Sequence, residues 1–129
     1  TERLGHRLQI VGDDFFVTNA QQIDERAALG ACNAVLIKPN QIGTVTQTRQ
    51  AIEAAARHQL GCIVSARSGE TEDISIVHLA VGWGVAQIKV GSFSRSERMA
   101  KWNEGLRIEE SLAPARAYPQ RGIFAWLER

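Results

Sequence analysis

A chain of 129 residues is long enough for one compact domain with a core of its own. Hydrophobic residues at 44% and charged residues at 22% are ordinary for a globular protein, and a formal net charge of +1 gives no general attraction to nucleic acid or to an anionic membrane. No apolar run nears the roughly 20 residues that cross a bilayer, so neither nucleic acid nor membrane is an expected partner.

The lead-in, Thr1-Glu-Arg-Leu-Gly-His6, has no signal-peptide pattern, and the absence of an initiator Met makes the chain read as part of a longer one. The first apolar run, Leu8–Val11, is expected to be a strand, with Gly12, Asp13 and Asp14 at its end. Asn19 followed by Gln22 predicts a capping box for a first helix, and Gly30 a left-handed stop. A second strand over Ala34–Ile37 ends on Lys38-Pro39. The segment Thr44–Gln59 predicts a second helix with Val45, Thr48, Ile52 and Ala56 on one stripe and Gly61 as its stop. A third strand, Cys62–Ser65, runs into the polar stretch Ser65-Ala-Arg-Ser-Gly-Glu-Thr-Glu-Asp73. Thr71 is the expected cap of a third helix, with Glu72 and Asp73 in its first turn. After a fourth strand over Val85–Ile88, Ser94 with Glu97 predicts a capping box, and Met99, Trp102, Leu106 and Glu109 follow at helical spacing.

Four β-α repeats with short, continuously apolar strands predict an α/β fold of parallel strands joined by right-handed crossovers. Residues 1–113 are assigned to these units. Residues 114–129, broken by Pro114, Pro119 and Gly122 but carrying Tyr118, Phe124, Trp126 and Leu127, are read as a docked extension. Cys32 and Cys62 have no metal-ligand spacing and are read as two free thiols of an intracellular, cytoplasmic protein.

Polar residues recur at the strand ends: Asp13, Lys38, the Ala66-Arg67-Ser68 step and Lys89, separated by 25, 28 and 23 residues. That recurrence places one residue from each unit on the rim where β/α folds build their sites. Asp13 can serve a hard cation such as Mg²⁺, or with Asp14 be no more than a loop acid. A lysine in the position of Lys38 or Lys89 either carries its ammonium to solvent or, desolvated near other cations, acts as a proton acceptor. Arg67 and Ser68, before a helix N-terminus, suit phosphate or carboxylate; the alternative is that Arg67 pairs with Glu70 or Glu72. His6 lies in the lead-in, His58 on a polar helix face, and His78 between apolar neighbours as a packing histidine.

Taken together, Val11-Gly-Asp-Asp14, Leu36-Ile-Lys-Pro-Asn-Gln-Ile-Gly43, Ser65-Ala-Arg-Ser-Gly-Glu-Thr-Glu-Asp73, Gln87-Ile-Lys89, Arg95-Ser-Glu-Arg98 and Leu106-Arg-Ile-Glu-Glu110 resemble enolase in order and spacing, from about Leu8 to Leu112. The resemblance implies the last four β/α units of an eight-stranded enolase-type TIM barrel. It also implies Mg²⁺-dependent interconversion of 2-phosphoglycerate and phosphoenolpyruvate, in glycolysis, with two metal ions in the complete enzyme. Carried onto this sequence, Asp13 is a metal ligand, Lys38 the general base, and Lys89 a second catalytic lysine facing the substrate carboxylate. Arg67 and Ser68 bind phosphate.

The sequence departs from the family pattern inside that site. Ala66 stands where the family has a His, Val90-Gly-Ser-Phe93 replaces the usual Thr-Gly-Ala-Pro, and His78 replaces a common Asp. The alternatives are therefore a paralogue acting on a related phospho- or phosphono-carboxylate, or a non-catalytic module that oligomerises or binds anions. The remaining metal carboxylates and the acid glutamates have no candidate before Leu8, so the chain alone is expected to be inactive. Half a barrel leaves open sheet edges, which predicts a homodimer or higher self-association.

Overall fold

The computed structural model describes residues 1–112 and Phe124. Strands β1 (Val11–Gly12), β2 (Ala34–Ile37), β3 (Gly61–Ser65) and β4 (Ile88–Lys89) form a single sheet in chain order, β1-β2-β3-β4. Every pairing is parallel, with Gly12 beside Val35, Ile37 beside Val64 and Ser65 beside Lys89. The helices are α1 (Ala20–Arg26), α2 (Pro39–Ile42), α3 (Val45–Arg57), α4 (Ser75–Gly82) and α5 (Ser96–Leu112). The expected α/β succession of parallel units is thus present, and β1 and β4 form its two edges. Of the segment 114–129 only Phe124 is described, and it is partly buried, so the expected docking of that segment and the boundary at 113 lie outside the described residues.

The sheet is centred on β2, whose four residues are all buried. Alternation along the strand sends Val35 and Ile37 to one face, where they join Phe16, Ile23, Ala51, Ala54, Ala55 and Leu60, while Ala34 and Leu36 are buried on the other. Alanines at 51, 54 and 55 keep the inner face of α3 low, which lets α1 and β2 pack close to it. The predicted stripe was rotated by about one position: Thr48 is buried, but Val45 and Ala56 are exposed. Counting the larger side chains overlooked alanine as the residue of closest approach.

Local signals decide most helix ends. Asn19 caps α1 by accepting from the Gln22 amide at 3.1 Å, and Thr44 caps α3 by accepting from the Gln47 amide at 3.1 Å. Gly30 closes the turn after α1 with φ 60. Other expectations need correction. Gly61 is the first residue of β3, and the left-handed step after α3 falls on Gln59 at φ 55. Thr71 does not cap α4, which starts at Ser75; its hydroxyl accepts from the Asp73 amide within the preceding loop, and Asp73 in turn accepts from the Ser75 amide at 2.8 Å. Ser94 pairs with the Ser92 hydroxyl at 2.9 Å, and α5 begins two residues later, after Arg95 at φ 74. β1 and β4 lie further along the chain than predicted, so Lys89 ends β4 instead of following it.

Candidate functional site

The parallel register brings the C-terminal ends of all four strands to one rim, with Asp13 just past β1, Lys38 just past β2, Ala66 just past β3 and Lys89 closing β4. Asp13 and Lys38 meet directly: the ammonium donates to the Asp13 carboxylate at 2.6 Å, with the lysine side chain 12% and the aspartate side chain 42% exposed. The loop that carries Asp13 from β1 to α1 is held under backbone strain. Val17 and Thr18 have φ 47 and 56, a region that β-branched residues rarely occupy. Thr18 is fully buried, its hydroxyl accepting from the Lys38 amide and donating to Gln41, each at 2.9 Å. Those bonds fix the start of the Lys38 loop and account for a strained residue at 18.

On the other side of the rim, Ala66, Arg67, Ser68, Lys89 and Arg98 line a cleft of about 220 Å³. Arg67 and Lys89 are exposed and form no salt bridge among the described residues. The alternative of Arg67 paired to Glu70 or Glu72 is not seen among the described residues; Glu70 instead lies 3.4 Å from Lys101 Nζ and accepts from Asn40 at 2.6 Å. That Asn40–Glu70 bond ties α2, which follows β2 directly, to the loop after β3. Ser65, fully buried, donates to the Lys89 carbonyl at 2.8 Å and holds the end of β4 in place. Gly91, at φ 93, lies so close to the Arg98 side chain that a Cβ there would sit 2.7 Å from Arg98 Cδ. Three cations that form no salt bridge among the described residues, Arg67, Lys89 and Arg98, share this cleft with the Ser68 hydroxyl and with Glu70 and Glu97, and such cations and hydroxyl can attract a small anion.

The model of the enolase C-terminal TIM barrel domain family matches residues 1–125. Among curated proteins, "Enolase 1" of Desulfitobacterium hafniense (strain Y51) is 54% identical over 125 residues, 97% of this chain. The chain belongs to the enolase C-terminal TIM barrel domain family. It spans 29% of the length of that relative. The four parallel β/α units are accordingly a consecutive part of the enolase barrel, and the resemblance read from the motifs is correct.

The described residues do not make a complete Mg²⁺ site for an enolase. No group of three or more His, Cys, Asp or Glu among them is placed to hold a metal ion, and the one candidate carboxylate, Asp13, faces Lys38. Mg²⁺ requires a near-octahedral set of oxygens, of which this segment offers one side chain. No helix among the described residues is long and apolar enough to cross a membrane.

The histidines lie away from the cleft. His58 sits 2.8 Å from Asp24, beside Arg57 at 2.8 Å from the same carboxylate. The hydrogen bond from Arg57, followed by that from His58, holds the Asp24 carboxyl below its usual value of 3.8. His78, expected to pack in the core, is instead an exposed residue 3.0 Å from Glu104 of α5. Sequence reasoning also missed Thr18, Asn40, Glu70 and Lys101, whose roles depend on partners 20 to 30 positions away.

Proposed function

We propose that this chain forms the substrate-holding rim of an enolase-type lyase that interconverts 2-phosphoglycerate and phosphoenolpyruvate. The observation that carries this reading is the single cleft lined by Arg67, Ser68 and Lys89. Guanidinium, hydroxyl and ammonium groups suit a phosphate and a carboxylate on one small molecule. The reaction removes a proton from the carbon beside the carboxylate and expels hydroxide from the next carbon, giving the enol phosphate and water. Lys38 is the assigned proton acceptor and Lys89 the cation facing the carboxylate. As the pair stands, Lys38 is bound to Asp13, and engagement of that carboxylate elsewhere would release Lys38 toward the substrate. Dependence of the whole enzyme on Mg²⁺, with Asp13 as one ligand, belongs to the same proposal, the remaining ligands lying outside the described residues.

Ala66 supports a second reading. It lines the cleft with a methyl group, which leaves room and no donor beside Arg67 and favours a related phospho- or phosphono-carboxylate. Calorimetric titration of the 129-residue chain with phosphoenolpyruvate and with a phosphonocarboxylate separates the two. We expect saturable binding at roughly millimolar concentration, weakened about tenfold or more in Arg67→Ala, without turnover by the chain alone. Tighter binding of the phosphonocarboxylate favours the paralogue. No saturable binding of either compound overturns the anion-site reading.

A further inference from the structure

Lys101 is 2% exposed, deeper than any other charged side chain among the described residues. It projects from the inward face of α5 under the loop that joins β3 to α4. Its ammonium donates to the Thr71 carbonyl at 2.8 Å and to the Glu97 carbonyl at 2.9 Å, and lies 3.4 Å from Glu70 Oε2. Two carbonyls thus accept hydrogen bonds from the ammonium and a carboxylate faces it at ion-pair distance. Burying an ammonium is unfavourable unless every donor is met, and an apolar residue would pack a helix against a loop without that penalty. A lysine here does what an apolar residue does not: it grips the loop by its backbone and by a charge.

The gripped loop carries Arg67, Ser68 and Gly69, all exposed. Between Ala66 and Ile74 its own hydrogen bonds are the short local ones at Thr71 and Asp73. Its longer ties run from the Thr71 carbonyl and Glu70 to Lys101, and from Glu70 to Asn40. Glu70 also lines the cleft, so the Lys101 ammonium at 3.4 Å offsets a negative charge next to the place where an anion would sit.

Resting on the anion-site reading above, we infer that Lys101 is a positioning residue for ligand binding: from beneath the cleft it fixes the β3–α4 loop through the Thr71 carbonyl and Glu70, holding Arg67 and Ser68 toward the anion. It touches no ligand and acts through the loop. The Asn40–Glu70 bond extends the effect to α2, whose N-cap is Lys38, so one buried ammonium couples the two halves of the rim.

The test uses the full 129-residue chain, inorganic phosphate as the probe, and amide hydrogen exchange over residues 67–73. The variants are Lys101→Met, Glu70→Gln and Arg67→Ala. Lys101→Met is expected to weaken phosphate binding about tenfold, the size of one charge-assisted hydrogen bond, and to speed exchange of the loop amides by a similar factor while β2 and α3 exchange as in the parent. Glu70→Gln, which leaves Lys101 in place, is expected to speed loop exchange in the same direction and serves as the exchange readout if Lys101→Met fails to fold. Arg67→Ala is expected to abolish binding without changing loop exchange. Loop exchange within twofold of the parent in Lys101→Met and Glu70→Gln, with phosphate affinity within twofold in Lys101→Met, overturns the inference. Failure of the parent to bind phosphate, or unaltered binding by Arg67→Ala, removes the anion-site reading instead, and loop exchange alone then decides for or against the role of Lys101.

Discussion

Changing Asp13 to Asn removes the charge that faces Lys38 and keeps the shape of the side chain. At 2.6 Å, Coulomb's law gives about 1.6 kcal/mol for the pair at the dielectric of water and about 6 kcal/mol at an effective value near 20. Lys38 is nearly buried, but Asp13 is 42% exposed, so solvent screening and the desolvation of the lysine bring the net interaction down to about 1–2 kcal/mol. A double-mutant cycle isolates it. Asp13→Asn, Lys38→Met and the double variant are unfolded in urea, followed by circular dichroism, and the coupling energy is expected at about 1–2 kcal/mol, falling in molar salt. A coupling below about 0.3 kcal/mol would mean additive, independent sites. The rim assembled from the ends of β1 and β2 would then be wrong, and with it the place of Lys38 beside Asp13.

Two further outcomes test parts of the fold away from the rim. Asp24 titrates below 3.8 in the folded chain because Arg57 and then His58 donate to it; its contribution to stability is present above 3.8 and is lost as pH falls through the lower folded value. Between pH 5 and 2 the stability of Asp24→Asn should therefore decline less steeply than that of the parent, and identical acid profiles would refute the link between α1 and α3. Burial pushes the Cys62 thiol up to about 12, so its thiolate fraction at pH 8 is about 10⁻⁴. Iodoacetamide should leave Cys62 unlabelled in the native chain over a period that labels it fully in urea; native labelling at the rate of a free thiol would show that β3 is not covered.

The sequence made legible whatever depends on near neighbours. β2 could be placed to the residue because four apolar positions lie between Asn33 and Lys38, and both faces are covered. The caps at Asn19 and Thr44 were legible for the same reason, since each bonds an amide three residues on. Misreadings arose where a side chain had a competing partner. Thr71 and Ser94 look like caps but bond inside their loops, and the buried residues of α5 are Lys101 and Glu104, because Lys101 bonds the β3–α4 loop and Glu104 pairs with His78. β1 and β4 shifted because their pairing is set by the register of a neighbouring strand, which apolar content does not reveal. For the site, the regular recurrence of Asp13, Lys38, Arg67 and Lys89 pointed to one rim. The bonds that hold its loops, Thr18 to Lys38 and Lys101 to Thr71, join residues with no shared local pattern.

In this sheet each strand lies beside the one that precedes it in the chain. No segment has to wait for a distant partner or thread past a finished one, so the units can add one after another, like courses of brick, as the polypeptide lengthens. The seam between β2 and β3, matched over four residues against two on either side, is then the last to part, and loosening begins at the flanks, which hold Asp13 at one end and Lys89 at the other.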